Sequence, residues 1–180
     1  MNCVHLDVET YSECDLKKCG VYKYAEDPST ELLVVCFAFN NGPVHVWVPA
    51  LKLPPEVEAG GILVMDRDAE LFIQPLVPKM LSQWIADGGQ VRAHNAQFER
   101  VILNGVAGQK VGFPRIKSGQ MVCTAAKAAN AGLPRALGDA AAALGTAPKK
   151  AIGRQDMLAC SKPRTGKESR WTPENDPERF

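Results

Sequence analysis

Two apolar runs on either side of a turn signal constrain this chain more than any other feature. Leu32 to Phe39 is continuously apolar and includes Val34, Val35 and Phe37, and Val44 to Val48 alternates in the two-residue rhythm of a strand. Asn40-Asn41-Gly42 lies between them. Asn and Gly tolerate the left-handed backbone that a tight reversal requires, so the pattern predicts an antiparallel hairpin. A hairpin cannot bury its own apolar face, so the rest of the chain has to supply partners. Cys3 to Val8 reads as one of them, a strand that ends in polar chemistry at Asp7-Val8-Glu9-Thr10, and Ile62 to Met65 reads as another short strand.

Beyond the hairpin the period changes. Leu76, Val77, Met80, Leu81, Trp84 and Ile85 recur at helical spacing and stop at Gly88-Gly89. Gln90 to Ala93 reads as a strand and Gln97 to Asn104 as the helix after it. The Ala-rich stretches Gln120 to Ala131 and Arg135 to Leu144 read as helices separated by Gly132-Leu133-Pro134. Residues 11–31, with Gly20 and Asp27-Pro28, read as a polar connection. The order is strand, hairpin, helix, strand and three helices, which is an α/β pattern with an antiparallel hairpin at the front.

With 46% hydrophobic and 23% charged residues, a chain of 180 residues can bury one domain's core. The formal net charge of +1 argues against a uniformly basic coat protein, and no apolar run approaches the ~20 residues of a membrane span. The start of the chain has no signal-peptide pattern, so an intracellular location is expected. The six cysteines, Cys3, Cys14, Cys19, Cys36, Cys123 and Cys160, form no Cys-x-x-Cys pair. Reduced thiols are therefore expected, Cys14 and Cys19 included, with Cys3 and Cys36 serving as small core hydrophobes. From Thr146 onward apolar positions are sparse and prolines recur. Between Lys149 and Arg170, Lys149, Lys150, Arg154, Lys162, Arg164, Lys167 and Arg170 face only Asp156 and Glu168, so a near-neutral chain contains a locally basic segment.

Asp7 and Glu9 are two residues apart at the end of a strand, so their carboxylates share a face. Two such anions repel unless a cation lies between them, and hard divalent ions prefer oxygen ligands of this kind. A solvated strand end explains the pair equally well. A second acid, Glu99, follows a strand within His94-Asn95-Ala96-Gln97-Phe98-Glu99 and opens a helix. It is either a third ligand held on a rigid element or a first-turn acid favoured by the helix dipole. Asn95 is a candidate cap for that helix, and Phe98 a candidate core aromatic. Asp139 reads as the polar face of an Ala-rich helix. Trp171 reads as an anchor for the tail, with base stacking as the alternative.

Asp7-Val8-Glu9-Thr10-Tyr11-Ser12-Glu13 and His94-Asn95-Ala96-Gln97-Phe98-Glu99-Arg100 resemble the first and second motifs of the DEDD, or DnaQ-like, 3′–5′ exonucleases. Asp15 to Tyr22 and Cys160-Ser161-Lys162-Pro163-Arg164 are similar to the proofreading domain of phage and prophage family A DNA polymerases. The resemblance extends over essentially the whole chain. It implies a ribonuclease H-like fold, a mixed sheet with flanking helices, with an exonuclease core over 1–145 and a basic extension over 146–180. It implies hydrolysis of 3′-terminal phosphodiesters of DNA to nucleoside monophosphates at a two-metal site using Mg²⁺ or Mn²⁺. Asp7, Glu9 and Glu99 match metal-binding catalytic acids, although Asp is usual where Glu99 stands.

Thr10 matches a position near the terminal nucleotide, Asn95 and Phe98 match residues that support that pocket, and Tyr11 is a further substrate-binding candidate. The basic segment with Lys162 and Arg164 either contacts the DNA backbone through its charge or is an ordinary solvated loop. The implied partners are the 3′ end of single-stranded DNA and a downstream polymerase domain, with no membrane, in the cytoplasm of a bacterial host or encoded by its prophage. The family's fourth acid lies in Tyr-x-x-x-Asp or His-x-x-x-x-Asp on the final helix, and none of the acids after Arg164 (Glu168, Glu174, Asp176 and Glu178) has a Tyr or His at that spacing. The final helix that carries it is expected beyond Phe180. An alternative is therefore a catalytically incompetent fragment that only binds single-stranded DNA.

Overall fold

A computed structural model describes residues 2–49, 62–65, 69–146 and 161. The calls on 147–160 and 162–180, including Lys162, Arg164, Asp156 and Trp171, lie outside them. Strand β1 (Cys3–Tyr11) leads through helix α1 (Leu16–Glu26) to the hairpin of β2 (Glu31–Phe39) and β3 (His45–Val48). Then come β4 (Ile62–Met65), β5 (Ala69–Ile73), helix α2 (Lys79–Ala86), β6 (Gln90–Ala93), α3 (Gln97–Asn104) and α4 (Val106–Lys110). A single 3₁₀ turn over Ser118–Gln120, strand β7 (Met121–Cys123), α5 (Thr124–Asn130) and α6 (Leu137–Ala143) complete the described chain. The strands form one seven-stranded sheet in the order β4-β5-β3-β2-β1-β6-β7.

The hairpin pairs as its turn predicts, antiparallel with Val35 opposite Trp47, and Asn40 takes a φ of 55° at the reversal. β1 is antiparallel to β2 but parallel to β6, and β6 is parallel to β7, so the sheet is mixed. The two-residue repeat of β1 sends Val4, Leu6 and Val8 into the core with Val35, Phe37, Trp47 and Val91. Leu81 and Ile85 of α2 and Val101, Ile102 and Leu103 of α3 close that core from the helical side. Trp47 is fully buried, stacks on Phe113 at 6.4 Å and donates from Nε1 to the Gln74 carbonyl at 2.9 Å. Burying a side chain of this kind is worth roughly 1.5–3 kcal/mol relative to exposure.

Four elements depart from the sequence expectation. Residues 11–31 hold a helix rather than a plain connection: Asp15 caps α1 by accepting from the Lys17 N–H, and Gly20, at φ 74°, kinks it. No apolar stripe runs along α1, because only Tyr24 and Ala25 of its second half turn into the core. β7 occupies the first residues of the expected helix 120–131, because a free edge of β6 is there to pair with. Met121-Val122-Cys123 contains β-branched Val and no Ala, so it pairs as a strand, and the Ala-rich residues after it form α5. Strand β5 and the short helix α4 carried no periodic signal. Cys14 and Cys19 are joined as a disulfide, not reduced. The capped turn at Asp15 folds the chain so that their Cα atoms, five residues apart in sequence, lie 6.9 Å apart.

The path of α1 depends on close approach at one glycine. A Cβ on Gly105, between α3 and α4, would lie 2.6 Å from the Ala25 carbonyl oxygen. Gly105→Ala is therefore expected to push α1 outward and lower stability by about 1–3 kcal/mol in urea unfolding. Gly119→Ala, where a Cβ meets nothing within 4 Å, is the control and is expected to leave the midpoint in place.

Candidate functional site

β1 alternates as its sequence predicts. Asp7 is exposed, and Glu9 and Tyr11 are partly exposed on the face opposite the core. Asp7 stands across from Cys36 of β2, and Glu9 across from Val34. Between Glu9 and Thr10 the pairing skips a residue of β2, so the strand bends where the acids sit. Desolvation raises the Asp7 carboxyl above its ordinary range while the nearby His94 pulls it back. Glu9 is raised by desolvation and then by the charge of Asp7. The Cys36 thiol is pushed up by burial and by both carboxylates.

Glu99 is the unusual member. It lies in the first turn of α3, yet it is only 4% exposed, and its Oε2 has no hydrogen-bond partner. Burial pushes its pKa up to about 7, its own main-chain N–H opposes that, and the Asp7 charge adds to it. A first-turn acid explained by the helix dipole alone would face solvent. This one faces inward and senses Asp7. Asp7, Glu9 and Glu99 therefore share one electrostatic field, although they belong to segments some ninety residues apart in sequence. Among the described residues, no group of three or more His, Cys, Asp or Glu side chains is gathered closely enough to hold a metal ion as it stands.

The turn into α3 differs from a side-chain cap. Asn95 is exposed with φ 67°, a backbone region in which Asn is enriched, and its carbonyl, not its side chain, accepts from the Phe98 N–H at 2.9 Å. The helix N-cap is Ala96, without a side-chain bond. His94 ties this turn to the helices that follow: Nε2 donates to the Arg135 carbonyl at 2.7 Å, and Nδ1 lies 3.1 Å from the Thr124 hydroxyl. Desolvation raises the Cys123 thiol, but main-chain N–H groups of Ala126, Ala96, Asn95 and Ala125 outweigh it and lower the pKa.

On the other flank stands α1, which the sequence reading missed. Tyr24 is buried, with its hydroxyl 3.0 Å from Thr10 Oγ1 and its ring 6.5 Å from that of Phe98. Thr30 Oγ1 donates to the Tyr24 carbonyl and accepts from Ser12 Oγ. Thr10 thus points into the core and is engaged by Tyr24, so only its main chain is left to meet a ligand. Phe98 is half-buried against the core, and Tyr11 lies on the acidic face. Tyrosines two apart at Tyr22 and Tyr24, just past Gly20, were the signal available for α1. They went unread because nothing in the sequence assigned that helix a partner.

Beyond its geometry, the chain has a relative of known identity. It is 31% identical over 186 aligned positions to a DNA polymerase of Bacillus phage SP02. The chain resembles part of a phage DNA polymerase. The match takes in the whole of this chain but 25% of that protein, so the chain spans about a quarter of the relative's length. No family model matches it. Among the described residues no helix is long and apolar enough to cross a membrane.

The buried carboxyl sets the pH dependence of folding. Its folded-state pKa of about 7 lies above the ordinary 4.5, so the native chain holds the proton more tightly than the unfolded one. Stability is greatest below the unfolded value, falls as pH rises from there to about 7, and is level beyond. Glu99→Gln removes the titration. In EDTA the variant is expected to exceed the wild type in urea stability at pH 8.5, by at most about 3 kcal/mol, and to match its pH trend at pH 4. Parallel pH profiles for the two proteins would contradict this account of Glu99.

Proposed function

We propose that this chain is a metal-dependent 3′–5′ exonuclease unit of a phage-type DNA polymerase, with a ribonuclease H-like fold. The observation that carries the reading is the shared field of Asp7, Glu9 and the unpartnered, buried Glu99. The Asp7 charge makes both Glu9 and Glu99 harder to ionise, an arrangement that ordinary folding does not favour without a cation. The likeness to a phage DNA polymerase supplies the substrate class, and the mixed sheet with two acids on its interior strand β1 is compatible with the fold.

The donor set suits a hard divalent cation such as Mg²⁺ or Mn²⁺: all three groups are carboxylates, and Glu99 Oε2 has no other partner. When bound, such an ion offsets the carboxylate repulsion and polarises a phosphodiester toward attack by water. The protein's own part is positional. β1 holds Asp7 and Glu9 side by side on its open face. α3 holds Glu99 from the neighbouring strand connection. The Tyr24–Thr10 bond and the Phe98 ring pack the floor beneath them. Tyr11 and Asn95, both reachable from solvent beside the acids, are the groups left to meet the terminal nucleotide. The basic stretch around Lys162 and Arg164 would add affinity for phosphates without regard to sequence.

The reading is tested by incubating the chain, and the polymerase it belongs to, with 3′-labelled single-stranded DNA and Mg²⁺ or Mn²⁺. Release of labelled nucleoside monophosphate is expected, and Asp7→Ala is expected to slow it at least about a hundredfold. Calorimetric titration with Mn²⁺ is expected to show binding that Asp7→Ala abolishes. A wild-type rate that survives Asp7→Ala would sink the proposal.

A further inference from the structure

We infer that Tyr22 is a stacking platform for a base of the single-stranded DNA that enters this site, an inference that rests on the exonuclease reading. Tyr22 is 57% exposed on α1, while Tyr24 and Ala25 beside it are buried. The kink at Gly20 sets this half of the helix apart from the first, so its inward side packs on α3 and Gly105 and Tyr22 is left outside. An exposed tyrosine ordinarily samples several rotamers. This one is tethered: Gln97 Nε2 donates to its hydroxyl at 3.1 Å across 75 residues of sequence.

Gln97 is the first residue of α3, and Phe98 and Glu99 follow it. The ring is thereby tethered at its hydroxyl end to the start of the helix that carries Glu99, with much of its surface open to solvent. Lys23 adjoins it, and Lys17 and Lys18 lie on the preceding turn, all exposed. An immobilised aromatic ring flanked by lysines has the chemistry of single-strand binding: the base stacks on the ring, and the cations meet the phosphates on either side. A ring already fixed by Gln97 loses little conformational freedom when a base settles on it.

The test measures binding of a fluorescein-labelled oligothymidylate by anisotropy in EDTA, so that no cleavage intervenes. Tyr22→Ala is expected to weaken binding about 5- to 100-fold. Tyr22→Phe, which keeps the ring, is expected to stay within a few-fold of wild type. Met80→Ala, at another exposed apolar side chain, is expected to change nothing. Irradiation with an oligonucleotide carrying 5-iododeoxyuridine near its 3′ end is expected to mark Tyr22, within the tryptic peptide Cys19–Lys23. Equal affinity of Tyr22→Ala and wild type overturns the inference, as does a crosslink found only elsewhere. If that happens while Asp7→Ala abolishes nuclease activity, the stacking role alone fails. A wild-type protein that neither binds nor cleaves DNA overturns both readings.

Discussion

Strand β1, inside the sheet between β2 and β6, carries two incompatible demands, and the rest of the structure is arranged around meeting both. β1 is bonded antiparallel to β2 and parallel to β6, so its backbone is satisfied on each side and its register is held from two directions. Its two-residue repeat then commits Val4, Leu6 and Val8 to the core and Asp7 and Glu9 to the opposite face. A slip of one residue would bury both acids and expose the valines, at a cost no other interaction here could offset. The same alternation that builds the core places the charges.

The Asp7 charge raises the proton affinity of Glu9 and of Glu99, and Glu99 sharpens the conflict by lying buried with an unpartnered oxygen. Burial of a carboxyl without a partner is costly, so it persists only where packing over-determines the position. Here the packing is visible. α3 is fixed by Val101, Ile102 and Leu103 in the core, and the turn before it is fixed by His94 on the Arg135 carbonyl. Stability is thus spent at one point to hold an unpartnered carboxyl within the field of Asp7, a departure from the rules that govern the rest of the fold.

Much of this arrangement was legible in advance. The hairpin followed from Asn40-Asn41-Gly42 between two apolar runs, and the helix Gln97–Asn104 matched its expected limits because its apolar residues recur at helical spacing. Asp7, Glu9 and Glu99 were singled out from strand-end spacing and from the residues around them. Other features were not legible. α1 lacks a stripe, β7 is three residues joined directly to an Ala-rich helix, and β5 and α4 are too short to establish a period. Thr10 was expected to face a nucleotide, yet it bonds Tyr24, a residue on a helix that the sequence left unassigned.

The sequence by itself determined which residues alternate, which recur every third or fourth position and where the chain must turn, because those are properties of neighbours along the backbone. It therefore placed the acids on one face of a strand and at the head of a helix. Only the tertiary structure decided that Glu99 faces inward toward Asp7, that Cys14 meets Cys19, and that α1 lies against α3 to flank the site. Each of those depends on contacts between segments far apart in the chain. Gly105 beneath Ala25 and the free edge of β6 beside Met121 are examples, and local preference is indifferent to such partners.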